Sequence, residues 1–317
     1  DAPVFVTGHR GLVGRALVRT LRRAGFSRIV VRDLASLDLR DRAAVAACFA
    51  AERPGYVFHA AGVVGGILAS GARPYTFLGD NLRMGLNVLE AAANAGVAKL
   101  LNLGSSCIYP RAAPQPIGED ALLSGPLEPT NRPYAVAKSA VVEACDALRA
   151  ERGADFVTAM PTNLYGPHDQ FHARDSHVVP ALIRRFVEAR DEGQEEVVVW
   201  GTGRPFRELM YVDDAADACL LVMDRVSRAG PINVGSGQEI RLADLAATIA
   251  RLVGFDGALV FDPGKPDGVP RKRLACPTLE GLGFTPRTSL EDGLARTVEW
   301  FEAARRAGEV RGLRGTP

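Results

Sequence analysis

Short apolar runs alternate with longer amphipathic stretches over the first half of the chain. The apolar runs are residues 3–7, 28–32, 56–59, 99–103 and 155–159. Between them, apolar residues recur at helical spacing, as at Leu17, Leu21 and Ala24. Continuous apolar runs are typical of strands that are buried on both faces. The pattern therefore predicts an α/β fold, a doubly wound parallel sheet with helices on both of its faces.

A turn rich in glycine joins the first apolar run to the first helical segment. Its residues are Gly8-His9-Arg10-Gly11-Leu12-Val13-Gly14. Glycines let the backbone approach a pyrophosphate, and the N-terminus of the next helix offers N–H groups and a positive dipole end. The spacing is G-x-x-G-x-x-G and differs from the G-x-G-x-x-G form. Its place after the first strand nevertheless predicts a dinucleotide site in a Rossmann-type sheet.

The residues that follow the second strand bear on which dinucleotide binds. Arg32 and Arg10 would suit the 2′-phosphate of NADP, because guanidinium groups match phosphate geometry. Asp33 would suit the free 2′-hydroxyl of NAD. We favour NADP, and the alternative is that both arginines are solvated surface groups. Asp38 either lies where adenine binds or caps the helix ahead of Arg42.

Ser105, Tyr134 and Lys138 form the candidate reactive centre. A Tyr and a Lys four residues apart on a helix point the same way, and Ser105 follows a strand whose carboxyl end should face the ligand. Such a trio can hand a proton to a carbonyl oxygen. Cys107 is a candidate thiolate base if nearby cations lower its pKa, and otherwise a small buried apolar residue.

Two further segments are expected to border this centre. Ala60-Ala61-Gly62 either lets the chain pass close to a flat ligand or serves tight packing. Residues 111–132 are rich in Pro, Gly and acidic residues and show no clear periodicity. They predict a long ordered loop over the site, which we call the lid.

The alternation of strands and helices ends near Gly166. We predict that residues 1–165 and about 212–236 form the NADP-binding Rossmann domain. A smaller C-terminal α/β lobe, residues about 166–211 and 237–310, would face the substrate. We expect residues 311–317 to be a loose tail.

Composition and charge mainly exclude other classes of protein. With 38 basic and 37 acidic side chains, the chain has no field strong enough to predict binding to nucleic acid or to an anionic membrane. Its five cysteines are scattered, without the close pairs of a metal or redox motif. We therefore expect no metal site and a cytoplasmic location. No apolar run approaches the roughly 20 residues that a membrane helix needs.

Several motifs are longer and more particular than the glycine turn. They are Gly8–Gly11, Gly104–Pro110, Leu127–Asn131, Pro161–His168, Ser176–Pro180, Val198–Gly201 and Lys265–Lys272. Through them the chain resembles the extended short-chain dehydrogenase/reductases along almost its entire length and, more narrowly, the GDP-L-fucose synthase family. The resemblance implies epimerisation at C3 and C5 of GDP-4-keto-6-deoxy-D-mannose, followed by hydride transfer from NADPH to C4.

The resemblance also implies roles for individual residues. Ser105 and Tyr134 would stabilise an enolate oxygen, and Lys138 would lower the pKa of Tyr134 and hold the nicotinamide ribose. Cys107 and His177 would exchange protons on opposite faces of the sugar. The expected cofactor contacts are Gly8, Arg10, Gly11, Leu12, Val13, Gly14, Arg32, Asp38, Leu39, Ala60, Ala61, Gly62, Leu103, Tyr134, Lys138, Pro161, Asn163, Leu164 and His177. The expected substrate contacts are Ser106, Cys107, Asn163, Arg185, Trp200, Arg207 and Lys272.

Three of these cations, Arg185, Arg207 and Lys272, would hold the substrate diphosphate. Adjacent helical residues point in different directions, so we expect only one of Arg184 and Arg185 to reach it. Leu34 stands where family members can carry a second basic residue, which weakens the preference for NADP. The resemblance also implies a homodimer, paired through helices near residues 75–95 and 134–149.

Other functions share parts of this pattern. An NAD-retaining sugar-nucleotide 4-epimerase would share the fold but has no use for the pair of Cys107 and His177. A 4,6-dehydratase needs acidic groups where Ser106 and Cys107 stand. The same two-step chemistry on another GDP-4-keto sugar, such as a heptose, stays open. A non-catalytic NADP-sensing regulator could dispense with the Tyr and Lys, and here both are present.

Overall fold

The chain folds around a parallel sheet, and a smaller lobe packs at the carboxyl ends of its strands. The computed structural model describes residues 2–173, 175–265 and 267–313. The strands are β1 (Val4–Thr7), β2 (Ile29–Val30), β3 (Tyr56–His59), β4 (Lys99–Leu103), β5 (Phe156–Pro161), β6 (Asn163–Tyr165), β7 (Glu196–Trp200), β8 (Phe206–Tyr211), β9 (Pro231–Val234), β10 (Glu239–Arg241), β11 (Ala258–Asp262) and β12 (Arg271–Lys272). The helices are α1 (Leu12–Arg23), α2 (Arg42–Glu52), α3 (Ile67–Ala72), α4 (Pro74–Asn94), α5 (Arg132–Arg152), α6 (Val178–Asp191), α7 (Val212–Arg225), α8 (Leu242–Val253), α9 (Pro277–Gly281) and α10 (Leu290–Ala307).

The large sheet has six parallel strands in the order β2-β1-β3-β4-β5-β9. Every residue of β1 and β4 is buried, as expected for strands covered on both faces. Helices α1 and α7 pack on one face, and α2, α4 and α5 pack on the other. This arrangement confirms the predicted doubly wound parallel sheet.

The smaller lobe is organised around β8. Strand β8 pairs in parallel with β6 and β12 and antiparallel with β10. Helices α6, α8 and α10 share a separate apolar core with the β7–β11 pair. Because β12 and β6 both pair with β8, the lobe brings late parts of the chain to the carboxyl end of β5.

Some segments lie elsewhere than the sequence suggested. Strand β6 pairs in the small sheet, although residues 163–165 were expected in the large domain. Leu274 and Leu279 pack in the core of the large domain, although residues 237–310 were assigned to the lobe. Helix α3 had no clear pattern in the sequence. The division into two domains therefore stays a proposal, and segments of the two domains alternate along the chain more often than expected.

The C-terminal residues that are described pack against the lobe. The carbonyl of Arg311 accepts from the Phe171 N–H at 3.1 Å, and that of Gly312 accepts from Arg184 at 3.2 Å. Residues 311–313 are therefore held, contrary to the expected loose tail, and residues 314–317 lie outside the described residues, as do residues 1, 174 and 266. Among the described helices, none is long and apolar enough to span a membrane.

The close packing of α4 on α5 gives a testable prediction. A Cβ added at Gly85 would lie 2.5 Å from Val141 Cγ2. One added at Gly79 would lie 3.1 Å from the end of the flexible Arg83 side chain and in ordinary contact with Tyr75 at 3.5 Å. We expect Gly85→Ala to lower the free energy of unfolding by about 1–2 kcal/mol, because overpacking exceeds the gain in helix propensity. Gly79→Ala is the matched control and should raise it by up to about 1 kcal/mol. Urea unfolding of both variants checks this, and equal effects would contradict it.

Candidate active site

The glycine turn after β1 forms a tight backbone cradle, in which side chains at Gly8 and Gly14 would clash with neighbouring backbone. Gly8 has φ +69°, and a Cβ there would lie 2.7 Å from Ala61 N. A Cβ at Gly14 would lie 2.1 Å from the Gly8 carbonyl oxygen. Gly11 caps α1 without a side-chain hydrogen bond, so the first N–H groups of the helix are free of side-chain partners. This cradle fits the pyrophosphate of a dinucleotide.

The adenosine end is less open than the sequence suggested. Arg32 is ion-paired with Glu52 and donates to the Val31 carbonyl at 2.8 Å. Arg10 has a side chain that is 72% exposed, and its nearest ion-pair distance is 4.0 Å, to Asp33. Of the two arginines, Arg10 is therefore the one placed to bind a phosphate.

Asp38 also differs from one of its two expected roles. The helix cap ahead of Arg42 is Asp41, whose carboxylate accepts from Ala43 N and Ala44 N at 2.9 and 3.0 Å. Asp38 instead binds Arg40, with the shortest contact at 2.7 Å. Both carboxylate oxygens of Asp38 accept from Arg40, so a contact between this carboxylate and an adenine stays a prediction. The neighbouring Leu39 is buried.

Hydrogen bonds link the carboxyl ends of the central strands. Thr7 Oγ1 lies 2.9 Å from His59 Nδ1 and accepts from Ala61 N at 3.2 Å. Lys138 Nζ donates to the Leu103 carbonyl at 2.7 Å. Burial lowers the pKa of Lys138 to about 8. The loop Ala60-Ala61-Gly62 passes close by, since a Cβ at Gly62 would lie 3.7 Å from Lys138 Nζ.

Ser105 and Tyr134 meet beside this lysine. Ser105 Oγ accepts from Cys107 N at 3.3 Å and thereby caps a short 3-10 turn, Ser106–Ile108. Burial and the neighbouring Cys107 raise the pKa of Tyr134 above its usual range, while a hydrogen bond with Ser105 opposes the rise. The expected lowering of this pKa by Lys138 stays a prediction. A raised pKa keeps the phenol protonated at neutral pH, the form that donates a proton.

Cys107 faces a cation from the other lobe. Lys272 Nζ lies 3.7 Å from Cys107 Sγ. The sequence placed Lys272 at the substrate diphosphate, and the structure places its ammonium against the candidate base. Lys272 is thus the member of the basic pair that faces the reactive centre, because Arg271 binds Glu239 on the surface with contacts of 2.5 and 2.8 Å.

His177 caps α6 from a segment that is held against the large domain. The N–H of Gly66 donates to the Asp175 carbonyl at 2.8 Å, and a Cβ at Gly66 would lie 2.9 Å from the Ser176 carbonyl oxygen. The His177 side chain is accessible to solvent on one side and faces protein on the other, as is usual for a residue in the wall of a cleft. Burial, followed by the charge of Lys272, lowers the pKa of His177. The imidazole is therefore neutral at pH 7, the form that accepts a proton.

A second cationic region surrounds the exposed ring of Trp200. Arg185 Cζ lies 6.0 Å from the ring centroid and Lys265 Nζ lies 5.5 Å from it. Arg185 also donates to the Val198 carbonyl at 2.6 Å. Arg184 turns away and binds Glu188 at 2.7 Å, so the two adjacent arginines point in different directions, as expected. Lys265 was not singled out in the sequence, where its exposed position carried no signal.

Arg207 is held by backbone oxygens from the loop before β12. Its guanidinium donates to the carbonyls of Val269 at 2.6 Å and Asp267 at 3.0 Å. Burial lowers the pKa of Arg207. The loop is in turn tied down by Asp267, whose carboxylate accepts from Thr202 at 2.7 and 2.8 Å.

Sequence reasoning missed Glu208, the fully buried carboxyl group beneath these residues. Its two oxygens accept from Gly237 N and Leu274 N, both at 2.8 Å, and burial raises its pKa. Its backbone carbonyl accepts from Asn163 Nδ2 at 3.0 Å. Pro161 ends β5, and Asn163 and Leu164 begin β6. Glu208 thus positions Asn163 relative to β12, the strand that carries Lys272.

Comparisons with known proteins agree with this geometry. The model of the NAD dependent epimerase/dehydratase family matches residues 4–235. GDP-L-fucose synthase 1 of Arabidopsis thaliana is 53% identical over 301 residues, which are 95% of this chain and 93% of the relative. GDP-L-fucose synthase of Escherichia coli (strain K12) is 47% identical, over 94% of this chain and 96% of the relative.

A solved structure extends the likeness to the fold. The GDP-L-fucose synthetase from Naegleria fowleri bound to NADP has a TM-score of 0.90 and 31% identity, and the match covers 98% of this chain and 95% of that one. Sequence, fold and the arrangement of the site thus agree. The chain belongs to the NAD dependent epimerase/dehydratase family and, within it, to the family of the GDP-L-fucose synthases.

Proposed function

We propose that the chain converts GDP-4-keto-6-deoxy-D-mannose to GDP-L-fucose by epimerisation at C3 and C5 and NADPH-dependent reduction at C4. The observation that carries the proposal is the meeting of Cys107 and Lys272 beside the Ser105, Tyr134 and Lys138 centre. The names of the relatives and the NADP in the Naegleria fowleri structure support the substrate and the cofactor.

Epimerisation requires a proton to leave one face of the sugar and another to return to the opposite face. A proton next to a ketone is acidic only if the enolate oxygen is stabilised, and Ser105 and the protonated Tyr134 donate hydrogen bonds to it. Cys107 and His177 exchange the protons. Lys272 lies beside the Cys107 sulfur, and burial together with the charge of Lys272 lowers the pKa of His177.

Reduction uses the same centre. NADPH supplies the hydride to C4 when it is bound. Tyr134 donates a proton to the C4 oxygen, and Lys138, held by the Leu103 carbonyl, is placed to bind the nicotinamide ribose. The cradle at Gly8, Gly11 and Gly14 binds the pyrophosphate. The other residues named as cofactor contacts in the sequence analysis are likewise proposed to bind NADPH.

Cations of the smaller lobe bind the nucleotide end of the substrate. Arg185 and Arg207 are proposed to contact the diphosphate, and Trp200 lies beside Arg185. A cytoplasmic location and a homodimer are also proposed. The exposed apolar residues Tyr75, Leu86 and Val136 on α4 and α5 support pairing through these helices, and a monomeric mass in sedimentation equilibrium would refute it.

Replacing Cys107 by Ser tests whether the thiol takes part in the reaction or only in packing. With NADPH and GDP-4-keto-6-deoxy-D-mannose, the unaltered chain should form GDP-L-fucose. The Cys107→Ser variant should form it at least ~100-fold more slowly, because the proton-transfer group is lost, and its affinity for NADPH, measured by fluorescence titration, should not change. Equal loss of product and of NADPH affinity would instead mark Cys107 as a packing residue.

The cofactor preference is tested at Arg10. We expect Arg10→Ala to raise the KM for NADPH by about tenfold and to leave the KM for NADH unchanged, since a charge-assisted phosphate contact is lost. Arg22→Ala, an exposed arginine farther along α1, is the matched control. A chain that prefers NADH before any substitution would overturn the assignment of NADPH.

The influence of Lys272 on His177 is measurable without substrate. Lys272→Met should raise the pKa of His177, because a nearby positive charge no longer opposes protonation. Arg271→Met, in which the surface partner of Glu239 is removed, should leave that pKa in place. NMR titration of the histidine rings resolves the difference, and identical curves in both variants would show that Lys272 does not act on His177.

A further inference from the structure

A cavity of about 40 Å³ with a mixed polar and apolar lining lies beside Cys107, between the lid and β12. Cys107 and Lys272 line it together with Glu128 and Asn131 of the lid. The cavity is too small for a nucleobase or a diphosphate, and it has room for the polar substituents of one ring. Glu128 and Asn131 belong to the motif Leu127–Asn131, to which no role has been assigned above.

Two buried oxygen atoms of these lid residues have no hydrogen-bond partner among the described residues. They are Glu128 Oε2 and Asn131 Oδ1. Glu128 Oε1 is occupied, because it accepts from Thr130 N and Thr130 Oγ1 at 3.4 and 3.2 Å. Arg111 Nε forms an ion pair with Glu128 Oε2 at 3.4 Å, but without the geometry of a hydrogen bond. Buried acceptors without partners are rare and call for a ligand or a water.

Asn131 occupies the N-cap position of α5, but its side chain does not cap the helix. A capping Asn usually accepts from the N–H of the second or third helical residue. Here the second residue is Pro133, which has no N–H. The Asn131 amide is thus free for another partner, three residues before Tyr134.

The two oxygen atoms without a hydrogen-bond partner define the chemistry of the occupant. A carboxyl oxygen and an amide oxygen accept hydrogen bonds, and a hydroxyl group donates one. Either orientation of the Asn131 amide suits a hydroxyl, which both donates and accepts. The sugar of GDP-4-keto-6-deoxy-D-mannose has two free hydroxyls, on C2 and C3, and C3 carries one of the protons that is exchanged.

We propose that Glu128 and Asn131 form a hydroxyl-recognition subsite that binds the C2 and C3 hydroxyls of the sugar and fixes which face of the ring meets Cys107. The inference rests on the proposed function and adds two specificity-determining residues to it. The lid thereby takes part in substrate selection, because its residues next to Cys107 bind the hydroxyls of the correct sugar.

The test compares the 4-keto substrate with its 2-deoxy and 3-deoxy analogues. For the unaltered chain, kcat/KM should fall by about 10–100-fold on loss of a recognised hydroxyl. Asn131→Ala and Glu128→Met should lower kcat/KM for the parent substrate by about the same factor and leave kcat/KM for the matching deoxy analogue within about twofold. Asp120→Asn, an exposed carboxylate of the same lid, is the matched control and should change neither value.

Several outcomes would overturn the subsite. One is equal loss on the parent and deoxy substrates in both variants, which would mean a purely structural lid role. Another is an unaltered chain that does not discriminate against either analogue. Glu128→Gln keeps the shape of the lid if Glu128→Met fails to fold, and thermal melts with NADPH titration identify such a failure. If the unaltered chain turned over no GDP-4-keto sugar, the proposed function would be overturned together with the subsite. That result differs from the outcomes above, which leave the proposed function standing.

Discussion

The arrangement of the site depends on the buried carboxyl group of Glu208. It accepts hydrogen bonds from the turn after β9 and from Leu274, while its own backbone carbonyl holds Asn163. Burying a carboxyl group is costly unless its oxygens are satisfied, so these bonds fix the small sheet in one position. Lys272, two residues before Leu274, is thereby held 3.7 Å from the sulfur of Cys107, which belongs to the large domain.

That contact gives one centre two kinds of chemistry. The large domain supplies the groups of a carbonyl reductase, with Tyr134 kept protonated by burial and Lys138 anchored to Leu103. The smaller lobe adds Lys272, whose ammonium lies next to the Cys107 sulfur. Its charge, after burial, lowers the pKa of His177. In the proposed function, proton exchange and proton donation therefore take place around one bound sugar.

Much of this was predictable because the signals are local. The glycine turn, the spacing of Tyr134 and Lys138, and the strand that ends at Ser105 are read from neighbouring residues, and the structure places all of them at the carboxyl ends of the parallel strands. Long-range pairs left no such signal. The contact of Lys272 with Cys107 spans 165 residues, and the ion pair that occupies Arg32 depends on where α2 places Glu52. Burial, which the sequence does not display, raises the pKa of Tyr134.

Deuterium content of the product tests the central claim most directly, that Cys107 and His177 epimerise the sugar which Tyr134 helps to reduce. The reaction is run to completion in deuterated water with NADPH and GDP-4-keto-6-deoxy-D-mannose, and the product is analysed by NMR and mass spectrometry. The account predicts GDP-L-fucose that carries solvent deuterium at both C3 and C5. NADPH oxidation that yields a reduced sugar without deuterium at these carbons would contradict it and would describe a plain 4-reductase.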